Sequence, residues 1–315
     1  MKPIYILCLH NVRTGGPEAI HQLSDALIEQ GFDARLIYYT WPEIASLERA
    51  EPQDGYLFQL RANAFEEYAR YKTNVVDAIP NQEGVIVVLP ETLCHLAPKF
   101  AKATVLIWWL SVDNGFGALS KVNLNHLRRP DVYHAWQSDY AGRFIEALGI
   151  HYHGKLTDYT VDLTEYARPL PWAERLPLIL FNANPHKVTR ALPSLFDEIA
   201  RVDPRYSCQQ FSNIPRASVA ELFARAMAYV DLGSFPGNDR APREALSMGC
   251  KAIVSIGGAA GECAAAVFVD QYMNDKHLAH AVLMAVNDGP IKPSVHLVAE
   301  RDAFFDEVQV LFADL

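Results

Sequence analysis

Short apolar runs alternate along this chain with longer stretches in which apolar residues recur every three or four positions, the pattern of β–α–β units on parallel sheets. In the first half the runs predict strands at Ile4–Leu9, Ala34–Tyr39, Gly55–Leu60, Val85–Leu89, Thr104–Leu110 and Val132–Gln137, enough for one complete Rossmann-like sheet. Between the first two, Ile20, Leu23, Ala26 and Leu27 share one face of a helix predicted over Pro17–Gln30, with Gly31 as its C-cap. A stretch with Pro169, Pro171 and Pro177, from Ala167 to Pro177, then reads as a linker. Beyond it strands are predicted at Leu178–Asn182, Ser207–Phe211, Ala228–Leu232, Lys251–Ser255 and Ala266–Val269, followed by helices at Lys276–Val286 and Val295–Phe312. The expected fold class is α/β, with two Rossmann-like domains at residues 1–166 and 167–315 facing across a cleft. Ligand belongs at the carboxyl ends of the strands.

The length of 315 residues supports two domains, and 50% hydrophobic against 21% charged residues is a balance that fills their cores. Lys plus Arg number 28 and Asp plus Glu 37, a formal charge of −9, which argues against nucleic acid as partner. The five cysteines, Cys8, Cys94, Cys208, Cys250 and Cys263, form no CxxC and suit neither a disulfide framework nor a zinc site. The run Ile4–Leu9 is too short for a signal peptide, and the other apolar stretches fall short of ~20 residues or are interrupted by glycine and charge. A cytoplasmic protein is expected. Its only membrane contact would be peripheral, at the inner face, through the basic cluster Lys121, Arg128 and Arg129.

Three strand-to-helix loops carry candidate chemistry. The first, Thr14-Gly15-Gly16-Pro17-Glu18, lacks both the GxGxxG and the Walker spacing, so an anion or substrate cradle and an ordinary tight turn both remain open for Gly15 and Gly16. In the second, Asn182-Ala183-Asn184-Pro185-His186-Lys187, Lys187 is either a phosphate ligand or an exposed helix-start lysine. The third runs from Asp231 to Cys250 and enters a helix with Pro242, Arg243 and Glu244 in its first turn. A carboxylate there complements the helix dipole, which explains Glu244 alone but not Arg240 and Arg243 at an end that already attracts anions. Taken together, arginine and backbone N–H groups bind phosphate while Glu244 takes sugar hydroxyls. Gly257 to Glu262 is either a phosphate or nucleobase approach or a packing turn. Trp108 and Trp109 point to opposite faces of a strand, as core residues or with one stacking on a sugar ring, and His151 and His153 share a face without an apparent third metal ligand.

The segment "REALSMGCKAIVS" resembles the donor-binding helix of GT-B glycosyltransferases, with Glu244 in the place of the ribose-binding glutamate, and "TGGPEAIHQLSDALIEQGFDA" resembles the same superfamily's glycine loop and first helix. The resemblance spans both halves. It implies transfer of a sugar from a nucleotide-sugar to a glycan or glycoconjugate acceptor, in bacterial style, with no cofactor beyond the donor, and a last helix packing back on the first domain. One departure stands out: the glutamate that retaining members often carry eight residues before this one is here Pro236, so Asp239 or Arg240 is expected to serve from a different position. No Asp-x-Asp occurs, which points to a metal-independent transferase whose Lys187, Arg240 and Arg243 neutralise the leaving diphosphate. The general base then belongs at a strand end of the first domain. Asp113 is the first candidate, as base or as the Asx residue of a turn; Glu91 and Glu18 are alternates, and His10 would touch sugar hydroxyls or acceptor. A nucleotide-sugar epimerase of the same architecture, or a catalytically silent binding protein suggested by Pro236, are the other readings.

Overall fold

The computed structural model describes residues 2–184, 190–263, 266–290 and 297–315. The chain falls into two compact units: Met1–Tyr159 with Pro236–Asn238 and Arg301–Leu315, and Thr160–Phe235 with Asp239–Glu300.

The first unit contains β1 (Ile4–Leu9), β2 (Ala34–Tyr39), β3 (Gly55–Leu57), β4 (Ala78–Pro80), β5 (Ile86–Pro90), β6 (Thr104–Trp109), β7 (Val132–Trp136) and β8 (Gly154–Lys155), with α1 (Gly15–Glu29), α2 (Trp41–Arg49), α3 (Val112–Leu119), α4 (Leu124–Leu127) and α5 (Asp139–Ala147). Six strands make a parallel sheet in the order β2-β1-β5-β6-β7-β8. Its strands are buried on both faces, Tyr5 and Leu7 in one core and Ile4, Ile6 and Cys8 in the other, which is why they read as unbroken apolar runs.

The run Gly55–Leu60 is a correction. Only Gly55–Leu57 is strand, and it pairs antiparallel with β4 apart from the main sheet. Tyr56 and Phe58 are buried while Leu57 is 84% and Leu60 61% exposed, a burial no strand inside a parallel sheet would tolerate. The sixth place is taken by β8, two residues paired to Ala135 and Trp136. A second correction concerns α1, which begins at Gly15, so Pro17 is its third residue; Thr14 is the extended N-cap. A residue without N–H is tolerated there because first-turn donors have no partner inside the helix.

Polar residues of α1 are covered as thoroughly as its apolar ones. Tyr71 donates to Glu18 (2.7 Å), Lys72 N to Asp25 (2.9 Å), and Gln22 to the Tyr159 carbonyl (2.8 Å). His21 bridges the Pro17 carbonyl and the Tyr38 hydroxyl, and burial drives its pKa down to about 4, against the pull of the Pro17 hydrogen bond. The last helix, α10, spans Leu297–Ala313; its Phe304, Val308, Leu311 and Phe312 share a core with Ile4, Ile6 and Leu23.

The second unit contains β9 (Leu176–Asn182), β10 (Ser207–Phe211), β11 (Ala226–Asp231), β12 (Lys251–Ser255) and β13 (Val267–Val269), with α6 (Leu192–Val202), α7 (Arg216–Arg225), α8 (Arg240–Ser247) and α9 (Asp275–Asn287). Its sheet is parallel, ordered β10-β9-β11-β12-β13. Leu195 and Ile199 of α6 and Val282 of α9 pack with one face, and Phe223 of α7 and Ala245 of α8 with the other. The division falls after Tyr159, and residues 160–166 go with this unit, because Leu163 is buried against its Leu180 and Phe223. The proline-studded stretch is tied down as well. Arg175 is buried and donates to the carbonyls of Leu170 (3.1 Å), Phe223 (2.9 Å), Ala226 (2.6 Å) and Met248.

Candidate functional site

The carboxyl ends of β9, β11 and β12 are joined by side chains. Asp231, the last residue of β11, is 1% exposed and accepts from Asn182 Nδ2 (2.8 Å), the Tyr229 hydroxyl (3.0 Å) and the backbone N–H of Gly233 (3.0 Å). Asn182 Oδ1 in turn accepts from Asn184 N (2.9 Å), and Ser255 Oγ donates to the Gly233 carbonyl (2.6 Å). Beyond Ser255, Gly257 and Gly258 both have positive φ, and a Cβ on Gly258 would collide with the Phe235 carbonyl, whose oxygen accepts from Ala259 N (2.8 Å). The Gly257–Glu262 loop thus packs against residue 235.

The loop after β11 delivers α8. Asp239 is its N-cap and Arg240 its first residue, so the helix begins earlier than the sequence predicts: Arg243 closes its first turn and Glu244 lies just beyond it, not in it. Arg243 and Glu244 are 7% and 9% exposed and Arg240 is half-buried. Burial lowers the pKa of Arg240; Glu244 opposes that shift and the charge of Arg243 adds to it, and an arginine so shifted still carries its proton at neutral pH. Arg243 Nη1 lies 3.4 Å from Glu300, which also accepts from Thr160 N (2.8 Å). Two cations, a carboxylate and the start of a helix therefore meet at the carboxyl edge of a parallel sheet, chemistry suited to an anion with hydroxyl groups beside it. Lys187 lies outside the described residues.

In the first unit the expected residues sit at the ends of β1, β5 and β6. Gly15 and Gly16 open α1 with negative φ, and a Cβ on Gly16 would make only an ordinary contact with Leu110. Their N–H groups, ahead of Pro17, are the donors of the first turn. His10 follows β1, half-buried, with its ring edge-to-face on Tyr38 at 5.6 Å between centroids. Glu91 is buried and accepts from Leu110 N (3.1 Å); burial raises its pKa to about 8 despite that bond. Gly115 packs closely on it, since a Cβ there would come within 3.2 Å of Glu91 Cγ. Glu91 thus holds the β6–α3 turn from below. Asp113 lies in the first turn of α3, not in an Asx turn, and is exposed; Tyr140 donates to it (3.3 Å). Glu18 is buried on Tyr71.

Both tryptophans are core. Trp108 donates to the Leu156 carbonyl (2.8 Å) and Trp109 to His134 Nδ1 (3.0 Å), and neither has surface left for a sugar ring. His153 Nδ1 accepts from His134 N (3.0 Å), which leaves the proton of the neutral ring on Nε2 and no lone pair for a metal. Among the described residues no three His, Cys, Asp or Glu side chains are grouped to hold a metal ion, and none of the helices is long and apolar enough to cross a membrane. At Pro236, where the resemblance places a glutamate, the carbonyl accepts from Val112 N (3.0 Å), and the next residue, Gly237, lies so close to the Leu110 carbonyl that a Cβ has no room.

What sequence reasoning missed is Asp231 and its partners. The signal was slight: an aspartate ending a strand two residues before a glycine, whose N–H it accepts.

No family model and no curated protein matches the chain. Solved structures do. A glycosyltransferase from Rickettsia africae ESF-5 aligns with a TM-score of 0.59 and 13% identity over 99% of this chain and 94% of its own. Sucrose-phosphate synthase from Thermosynechococcus elongatus aligns at 0.55 and 13% over 99% and 95%. An alpha-glucosyltransferase in complex with UDP and a 13-mer DNA containing an HMU base aligns at 0.51 and 10% over 99% and 98%. The fold is therefore GT-B, two Rossmann-like units in one chain.

Proposed function

We propose that this protein is a glycosyltransferase that moves a sugar from a nucleotide-sugar to a carbohydrate or glycoconjugate acceptor without a metal ion. The observation that carries the reading is the amino-terminal half of α8, where Arg240, Arg243 and Glu244 are gathered at a sheet edge in a GT-B fold. Backbone N–H groups and the two guanidinium groups take the diphosphate, and Glu244 accepts from donor hydroxyls. As the bond to the sugar breaks, negative charge grows on the leaving diphosphate, and the arginines stabilise it where a metal would otherwise be needed. The absence of an Asp-x-Asp motif supports that division of labour. Asp113, exposed at the end of β6, is the base that takes the acceptor proton, with His10 and the Gly15–Gly16 N–H groups on the acceptor side. Lys187 completes the donor phosphate set.

UDP is the first donor nucleotide to try, since it is bound in one structure of this fold. The test is thermal stability with UDP, GDP, ADP and CMP and their sugar conjugates, each in chelator. Stabilisation by one of them, lost in Arg240→Ala, supports metal-free donor binding; no stabilisation by any of them overturns it. Product analysis then separates the chemistry. Free nucleotide with a new glycoside is transfer, an altered sugar still on its nucleotide is epimerisation, and binding without turnover across acceptors is a silent binding protein.

A further inference from the structure

We propose that Asp231 is a positioning residue of the donor site, acting through Asn182 and Gly233 to fix the backbone at Asn184 and Gly233, where the chain leaves β9 and β11, for receipt of a diphosphate. The inference rests on the donor-binding reading above and goes beyond it, because Asp231 is buried and acts behind the binding groups. Its two oxygens are divided between the loops: Oδ1 accepts from Gly233 N, at the start of the segment that leads to Asp239, Arg240 and Arg243, and Oδ2 accepts from Asn182 Nδ2 and the Tyr229 hydroxyl. Asn182 then spends its own oxygen on Asn184 N, which shapes the start of the loop after β9. Ser255 adds the end of β12 by donating to the carbonyl of the same Gly233. A chain of hydrogen bonds thus runs across three adjacent strand ends with one carboxylate at its centre.

The chemistry demands an acid at this point. Asn182, Tyr229 and Gly233 each donate to it, and a carboxylate offers only acceptors, whereas an amide accepting from Gly233 would turn its NH2 group toward the Asn182 NH2. Rotating Asn182 to compensate would break its bond to Asn184 N. A buried carboxylate with three donors is also screened from an incoming diphosphate, so it can order the loops without repelling the ligand.

The experiment is calorimetric titration of the full chain with UDP, GDP and ADP and with inorganic pyrophosphate, on wild type, Asp231→Asn and the exchanged pair Asn182→Asp with Asp231→Asn. Near-UV circular dichroism establishes that each variant is folded. Asp231→Asn is expected to bind the wild type's nucleotide and pyrophosphate about tenfold or more weakly, by the same factor for both, since the loops and not the base site are disturbed. The exchanged pair restores acceptor against donor between the two strands and recovers most of that loss. If Asp231→Asn does not fold, Tyr229→Phe, which removes one donor only, is expected to weaken binding by about two- to fivefold. A folded Asp231→Asn, or failing it a folded Tyr229→Phe, that binds as the wild type does overturns the positioning role and leaves donor binding standing. A wild type that binds none of the four ligands overturns the donor reading, and this inference with it.

Discussion

Arginine meets α8 at both of its ends, in opposite surroundings. At the carboxyl end Arg175 lies against the Met248 carbonyl and shares its other donors among the carbonyls of Leu170, Phe223 and Ala226. Helix ends gather partial negative charge there, so a buried guanidinium is held by backbone carbonyls. At the amino end Arg240 and Arg243 sit where N–H groups already point outward and the helix is positive, a placement that mildly opposes folding. The contrast separates two uses of one side chain. A cation placed where the backbone is negative serves the fold, and one placed where the backbone is positive gains nothing from the helix, which is what the proposed anion site would explain.

The sharpest break of that comparison is Arg175→Met. Four buried carbonyls lose their donor, and we expect a loss of about 3–5 kcal/mol in urea denaturation, with unchanged nucleotide affinity in the protein that remains folded. Arg240→Ala is expected to do the reverse: nucleotide affinity falls about 10- to 100-fold while the melting temperature holds or rises slightly. If Arg240→Ala instead destabilises as Arg175→Met does, the two ends are alike and the distinction fails.

Glu91 extends the same criterion to a buried acid of the first unit. Its pKa is raised by burial from the usual 4.5 to about 8, so between those values the folded protein holds a proton that the unfolded chain has released. That contribution is present below pH 4.5 and is lost as pH rises through 8, with a slope of at most about 1.4 kcal/mol per pH unit. His21 works in the opposite sense, lowered from 6.5 to about 4, and its contribution is lost as pH falls through that window. In Glu91→Gln the decline of stability toward pH 8 should disappear while the loss toward pH 4 remains; a variant that keeps the alkaline decline would show that Glu91 is not its source. The smallest effect is expected from Glu244→Gln, a less than tenfold loss of nucleotide affinity with stability unchanged, measured by the same titration.

The architecture was legible because strands buried on both faces leave continuous apolar runs, and nearly every such run became a strand. It failed at Gly154–Lys155, which pairs at a sheet edge without any apolar run, and at Gly55–Leu60, where Tyr56 and Phe58 bury one side of a small separate ribbon. In the candidate site, Arg240, Arg243 and Glu244 stand out in the sequence because the two arginines contradict the helix dipole, so local rules leave them unexplained. Asp231 and Arg175 could not. Asp231 finds Asn182 only across the sheet, and the partners of Arg175 are backbone carbonyls, which carry no mark in a sequence.

The first unit draws its core from segments nearly three hundred residues apart, with Phe304, Val308, Leu311 and Phe312 closing over Ile4 and Leu23. On a ribosome this inverts the usual order. The sheet begun by residues 4–9 waits, with an apolar face open, until residues 301–315 have been made, whereas the second unit has all of its strands by residue 269. The unit begun earlier is thus finished later, and while residues 160–300 are made the nascent chain presents to the cell an incomplete hydrophobic surface that chaperones are suited to cover.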